Sequence, residues 1–186
     1  MTRSELYEEL NYINATRTAR TYMSQKVLKN PTLLEPFLAI VFDVDDPIAS
    51  RACWVLEFVV KEDLRLLDDY LDELLDKINT VHQDSSVRPV AKICEILVLE
   101  HYDEKDANNP SKLTEAHLRK ISEVCFDWLI GPHKVAAKAY SMGALYHLGK
   151  SFPWIHPELR LILELNYPRE SSGYKARARH ILSKIP

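Results

Sequence analysis

Apolar residues recur at three- and four-residue spacing along almost the whole chain, as in Leu67, Leu71, Leu74, Leu75 and Ile78. That period is helical, and no convincing alternation of apolar and polar residues marks a strand. The pattern predicts nine or ten helices in antiparallel pairs, over about 4–14, 16–29, 32–42, 47–61, 64–81, 85–102, 113–130, 134–149, 157–167 and 172–185. The apolar faces are too broad for a two-helix coiled coil, so each helix needs neighbours on more than one side.

Start and stop signals frame these segments. Thr2-x-x-Glu5 and Thr32-x-x-Glu35 read as capping boxes. Asp45-Asp46-Pro47 opens a helix with proline in its first turn. Asn30-Pro31 closes one, because a residue before proline is pushed out of the helical region. Gly131-Pro132 and Phe152-Pro153 punctuate the later helices. The longest polar stretch is Asp103 to Ser111.

One helix is written four times. The copies begin at Arg51, Pro89, Val135 and Tyr174, and small residues stand at Cys53, Ala91, Ala137 and Ala176, at steps of 38, 46 and 39 residues. Such steps suit pairs of packed helices with two turns per repeat, and the polar stretch 103–111 accommodates the longer step. In this register Val55, Ile93, Ala139 and Ala178 are core positions, as are Val59, Leu97, Gly143 and Leu182. Phe58, Ile96, Met142 and Ile181 are predicted to be buried at equivalent places.

A different set of equivalent positions is charged. Trp54, Lys92, Lys138 and Arg177 correspond to one another; one turn earlier stand Ser50, Arg88, Lys134 and Gly173, and about one turn later Glu57, Glu95, Ser141 and His180. Offsets of three and four residues share a helix face. Stacked side by side, Trp54, Arg88, Lys92, Lys134, Lys138 and Arg177 are expected to form an exposed basic ladder, its rungs ~10 Å apart, able to meet an acidic peptide or a phosphate backbone. The plain alternative is a solvated helix face. Trp54 is either an anchor for a partner or a packing residue against the N-terminal helix pair.

Composition narrows the chemistry. The 186 residues suffice for one domain with a sizeable core, and 46% hydrophobic with 27% charged residues is a globular mix. Four glycines are few for an all-β fold. A net charge of −3 gives no bulk attraction to nucleic acid or membrane, although a local basic face remains open. The cysteines Cys53, Cys94 and Cys125 lie in apolar helical patterns without CxxC spacing, which reads as reduced core thiols of a cytoplasmic protein. The N-terminus has no apolar signal core, and no apolar run approaches the ~20 residues of a membrane span.

These residues resemble the HEAT-like and armadillo-like superfamily from about residue 32 onward. Asp46-Pro47-x-x-x-Arg51-Ala52 looks like the start of the second helix of a HEAT repeat; Ser85-Ser86-Val87-Arg88 keeps only the arginine, and Gly131-Pro132-His133-Lys134 a proline and a basic residue. The resemblance implies an all-α fold, a right-handed α-α superhelix of stacked antiparallel helix pairs. It implies one helical-repeat domain over 1–186, with 1–30 as an N-terminal capping pair and 32–186 as HEAT-like repeats. It further implies a non-enzymatic interaction or scaffold module that holds a protein or acidic peptide on its inner face, with no cofactor and no membrane. The alternative is a nucleic-acid binder related to the alkylpurine DNA glycosylases, which set a catalytic aspartate beside tryptophans. Asp127-Trp128 is the nearest local counterpart, and no catalytic residue is carried over to it.

Other chemistry lacks its residues. Gly131, Gly143, Gly149 and Gly173 are isolated rather than a phosphate loop. HExxH, GxSxG and the glutamate and Glu-x-x-His set of di-iron bundles are absent. Cys94, Glu95, Glu100 and His101 scatter around their helix instead of converging on a metal, and His147, His156 and His180 stand alone.

Overall fold

The structure, a computed structural model, describes residues 1–103 and 111–185. The described residues form ten α-helices and several short 3-10 turns, with no strand, as the sequence predicts of a HEAT-like array. Residues 104–110, most of the polar stretch between repeats, lie outside the described residues. The chain divides into two compact units, Met1–Val90 and Ala91–Pro186.

The first unit holds α1 (Arg3–Asn11), α2 (Arg17–Lys29), α3 (Leu34–Val41), α4 (Pro47–Glu62), α5 (Leu71–Lys77) and the start of α6 (Asp84–His101). Helix α4 is its centre and packs against α1, α2 and α3. It buries Ile48, Ala52, Cys53, Val55, Leu56, Val59 and Val60, nearly all round its circumference. The Thr2–Glu5 capping box forms in both directions, at 3.2 and 2.8 Å. Asp46 accepts the Ile48 amide at 2.7 Å and the Tyr7 hydroxyl at 3.0 Å, so the cap of α4 also ties down α1.

Three expectations need correction here. The Thr32 hydroxyl does not cap a helix; it donates to Asn30 Oδ1 at 2.7 Å, because Pro31 opens a 3-10 turn that leads into α3. The segment 64–81 is not one helix but a 3-10 turn Leu64–Leu67, the helix α5 and a 3-10 turn Ile78–Thr80. Carboxylates crowd Asp68, Asp69, Asp72 and Glu73 at three- and four-residue spacing, where like charges oppose helix formation, while Leu67, Leu71, Leu74, Leu75 and Ile78 still reach the core. Phe58 is only half-buried, with the Arg20 guanidinium 4.8 Å and the Lys61 ammonium 5.5 Å from its ring centre.

The second unit holds the rest of α6 with α7 (Glu115–Ile130), α8 (Val135–Leu148), α9 (Ile155–Asn166) and α10 (Ser172–Leu182). Helix α8 packs against α7, α9 and α10. Met142 and Ile181 are buried as predicted, whereas Ile96 is half-buried. Ala176 is exposed, so the repeat register slips in its last copy. Helix α10 buries Tyr174, Ala178 and Ile181 on the side packed against α8 and α9, and Ala176 falls on the other side.

All three cysteines are buried and unbridged. Burial pushes the Cys53 thiol up to about 12, and the Cys125 thiol is raised by its hydrogen bond with Cys94 and by burial. Both therefore stay protonated and pack as small apolar groups. No helix among the described residues is long and apolar enough to cross a membrane.

Candidate functional site: a cationic cleft in the second unit

A cleft of about 410 Å³ opens between α6, α8 and α10, with Lys92, Glu95, Tyr140, Tyr146, Arg177 and Lys184 among its lining residues. Its floor is an ion-pair triad. Glu95 is buried, yet its Oε2 accepts from Lys92 Nζ at 2.8 Å and its Oε1 from Arg177 Nη2 at 2.6 Å. Arg177 Nε also donates to the Ala139 carbonyl at 3.2 Å, which fixes the plane of the guanidinium. Gly143 makes this possible: a Cβ there would overlap both the Glu95 carboxylate and the Arg177 guanidinium.

The walls are aromatic. Lys92 Nζ lies 4.9 Å from the Tyr140 ring centre, and Lys184 Nζ 5.9 Å from that of Tyr146. Tyr146 in turn stacks on His156, whose Nε2 lies 2.9 Å from the Tyr146 carbonyl oxygen. Burial holds the His147 imidazole below its ordinary pKa, so it is neutral at pH 7 and adds no charge. The cleft thus holds three cations, Lys92, Arg177 and Lys184, against the one carboxylate of Glu95. Lys92 and Arg177 share that carboxylate, while exposed Lys184 has no carboxylate partner among the described residues. No group of three or more metal-ligating side chains stands together among the described residues.

A family model for the HEAT repeat domain matches residues 6–185. The chain belongs to the HEAT repeat family. Comparisons with curated proteins and with solved structures gave no match.

In this HEAT chain the expected ladder of exposed cations does not form as drawn. Lys138 is buried, its Nζ 2.7 Å from Glu170 Oε1 and 5.9 Å from the Tyr174 ring centre. Lys92 and Arg177 are brought together, but around Glu95 rather than free in solvent. Lys134 is exposed at the N-cap of α8 and is not among the residues lining the cleft. In the first unit Arg88 Nη2 donates to Glu57 Oε2 at 2.8 Å, and Lys61 pairs with the same buried carboxylate. The reason is common to both units. Glu57 and Glu95, one repeat step of 38 residues apart, are buried carboxylates, and a buried charge is tolerated only when paired. Spacing along the chain puts these acids on the same face as the cations, but it does not show that Glu57 and Glu95 are buried.

Trp54 is half-buried, and its Nε1 donates to the Ser85 carbonyl at 2.8 Å. Pro89 explains that bond. It stands inside α6 and has no N–H, so the Ser85 carbonyl loses its usual donor four residues on. The indole supplies the replacement. Trp54→Phe is expected to lower stability by about 0.5–1 kcal/mol by removing that hydrogen bond, water taking the place of the indole at the exposed carbonyl. The loss should shrink in a Pro89→Ala background, where residue 89 regains its amide; urea titrations of the unaltered protein, the two single variants and the double variant check this.

Trp128 is buried and Asp127 exposed, so the indole is not available to stack on a base beside that aspartate. An apolar groove of about 540 Å³ lies between α1 and α2, rimmed by Tyr12 and Tyr22. Its only signal in the sequence is two tyrosines on faces that hydrophobic spacing leaves outward.

Proposed function

We propose that this HEAT repeat protein is a non-enzymatic interaction module whose cleft between α6, α8 and α10 binds an acidic segment of a partner protein. The observation that carries the reading is the charge imbalance at a shaped site: three cations face one carboxylate, and Lys184 has no acidic partner among the described residues. The tyrosine walls add apolar contact next to that charge, which suits a peptide side chain better than a bare ion. Of the six ladder residues the reading keeps Lys92 and Arg177 as part of the binding surface. Trp54, Arg88 and Lys138 are assigned to holding the fold, and Lys134 stands outside the cleft lining. It takes 1–186 as one helical-repeat module, since a single family match runs through both units. Protonated, buried thiols suit a reducing cytoplasm.

A fluorescein-labelled decapeptide of glutamate and tyrosine, titrated by anisotropy, tests the reading. Lys184→Glu is expected to weaken its binding roughly tenfold, about 1.4 kcal/mol, with the melting temperature unchanged. Binding should also weaken as salt rises. Equal affinity of the two proteins, or tighter binding of a DNA duplex than of the peptide, would overturn it.

A further inference from the structure

Helix α9 carries an exposed stripe that no described residue of the unit covers. Leu161 is 60% exposed and Leu165 73%, and Trp154 at the start of the stripe is 50% exposed while stacked on Phe126. Glu158 lies between Trp154 and Leu161 and is also exposed. Offsets of four, three and four residues put these four on one face of the helix, away from buried Ile155, Leu159 and Leu163. Just past the helix, Arg169 is exposed on the 3-10 turn Tyr167–Arg169. Neither Glu158 nor Arg169 has an ionic partner among the described residues, in contrast to Arg160 and Glu164 beside them, which pair at 3.5 Å.

We propose that α9 is a self-association surface, on which two copies of this chain pair with their α9 helices antiparallel about a two-fold axis at the level of Leu163. The self-complementarity of the stripe specifies both the occupant and the direction. Leu161 and Leu165 stand two residues on either side of Leu163, so the two-fold axis sets each against the other in the partner copy. Glu158 stands five residues before that level and Arg169 six after it, so the same axis brings each acid to the partner's base twice over. A parallel arrangement would instead set acid against acid and base against base. Apolar side chains this exposed are a common mark of an interface. A helix of 12 residues is only about 18 Å long, below what a standard interface needs, so the pairing is weak and depends on concentration.

Sedimentation of the full chain from about 1 to 500 µM tests this. The 21.5 kDa monomer is expected to convert to dimer with rising concentration, and Leu165→Glu to stay monomeric throughout with an unchanged melting temperature. Glu158→Arg and Arg169→Glu should each weaken the dimer about tenfold alone, since each sets like charges together twice. Mixed in equal amounts, the two variants should dimerise at least as well as the unaltered protein, because every facing pair is then opposite in charge. A chain monomeric at the highest concentration, a dimer indifferent to Leu165→Glu, or a mixture no tighter than its components would each refute the proposal.

Discussion

Replacing Trp128 by alanine is expected to cost about 3–5 kcal/mol of stability. The indole is 3% exposed on α7, the helix that packs against α8, and it sits in the same helical stripe as Ile121, Val124 and Cys125. Truncation removes most of a large apolar surface, and the neighbouring helices can close the gap only partly, so a cavity term adds to the transfer term. Urea unfolding followed by far-UV circular dichroism measures it. Trp128→Phe should lose less, because the smaller ring still fills part of the site. Peptide binding by the folded fraction should be unchanged, since Trp128 does not line the cleft. A folded, stable Trp128→Ala protein with altered binding would instead place this residue at a ligand.

The second large effect is expected at Gly143, where alanine should lower stability by about 3–5 kcal/mol. The new methyl would occupy the space through which Arg177 reaches Glu95. Side chains that end in open solvent could swing aside, but the Glu95 side chain is 6% exposed, so its carboxylate has nowhere to be rehydrated. Lys92 alone would then neutralise it, from one side. Arg177→Ala removes the same contact without the overlap, and the Arg177 side chain is already about a third exposed, so its cost should be smaller. The two substitutions act on one bond. Gly143→Ala is therefore expected to cost markedly less in an Arg177→Ala background, and a full, additive loss in the double variant would show that the methyl acts elsewhere.

The helical period, the caps at Thr2 and Asp46, and the burial of Met142 and Ile181 were all legible in the sequence, because each depends on residues within a few turns of one another. Position 58 was not. Phe58 is apolar at a repeat-equivalent site, yet cations from two helices sit near its ring, and helical spacing does not report what stands opposite. The cleft was half legible. Lys92 and Arg177 were picked out by their equivalence in the repeat, while Lys184, Tyr140 and Tyr146 carry no repeat signal and belong to the site only because α8 and α10 pack together.

The sequence by itself determined an all-helical HEAT array, since periodicity, capping and a recurring step of about 40 residues are properties of the chain read along its length. It also placed Glu57 and Glu95 in register. Only the tertiary structure decided what those carboxylates do. Each is buried, and a buried charge must find partners wherever the fold brings them, so Arg88 and Arg177 arrive from later helices and Lys138 turns to Glu170 instead. The same holds for Trp54, whose N–H answers a carbonyl left bare by Pro89 35 positions further on. Charge and hydrogen-bond satisfaction are settled in three dimensions, and that is why the exposed ladder expected from spacing is instead a set of closed ion pairs at Glu57, Glu95 and Glu170, of which the pairs at Glu95 line the cleft.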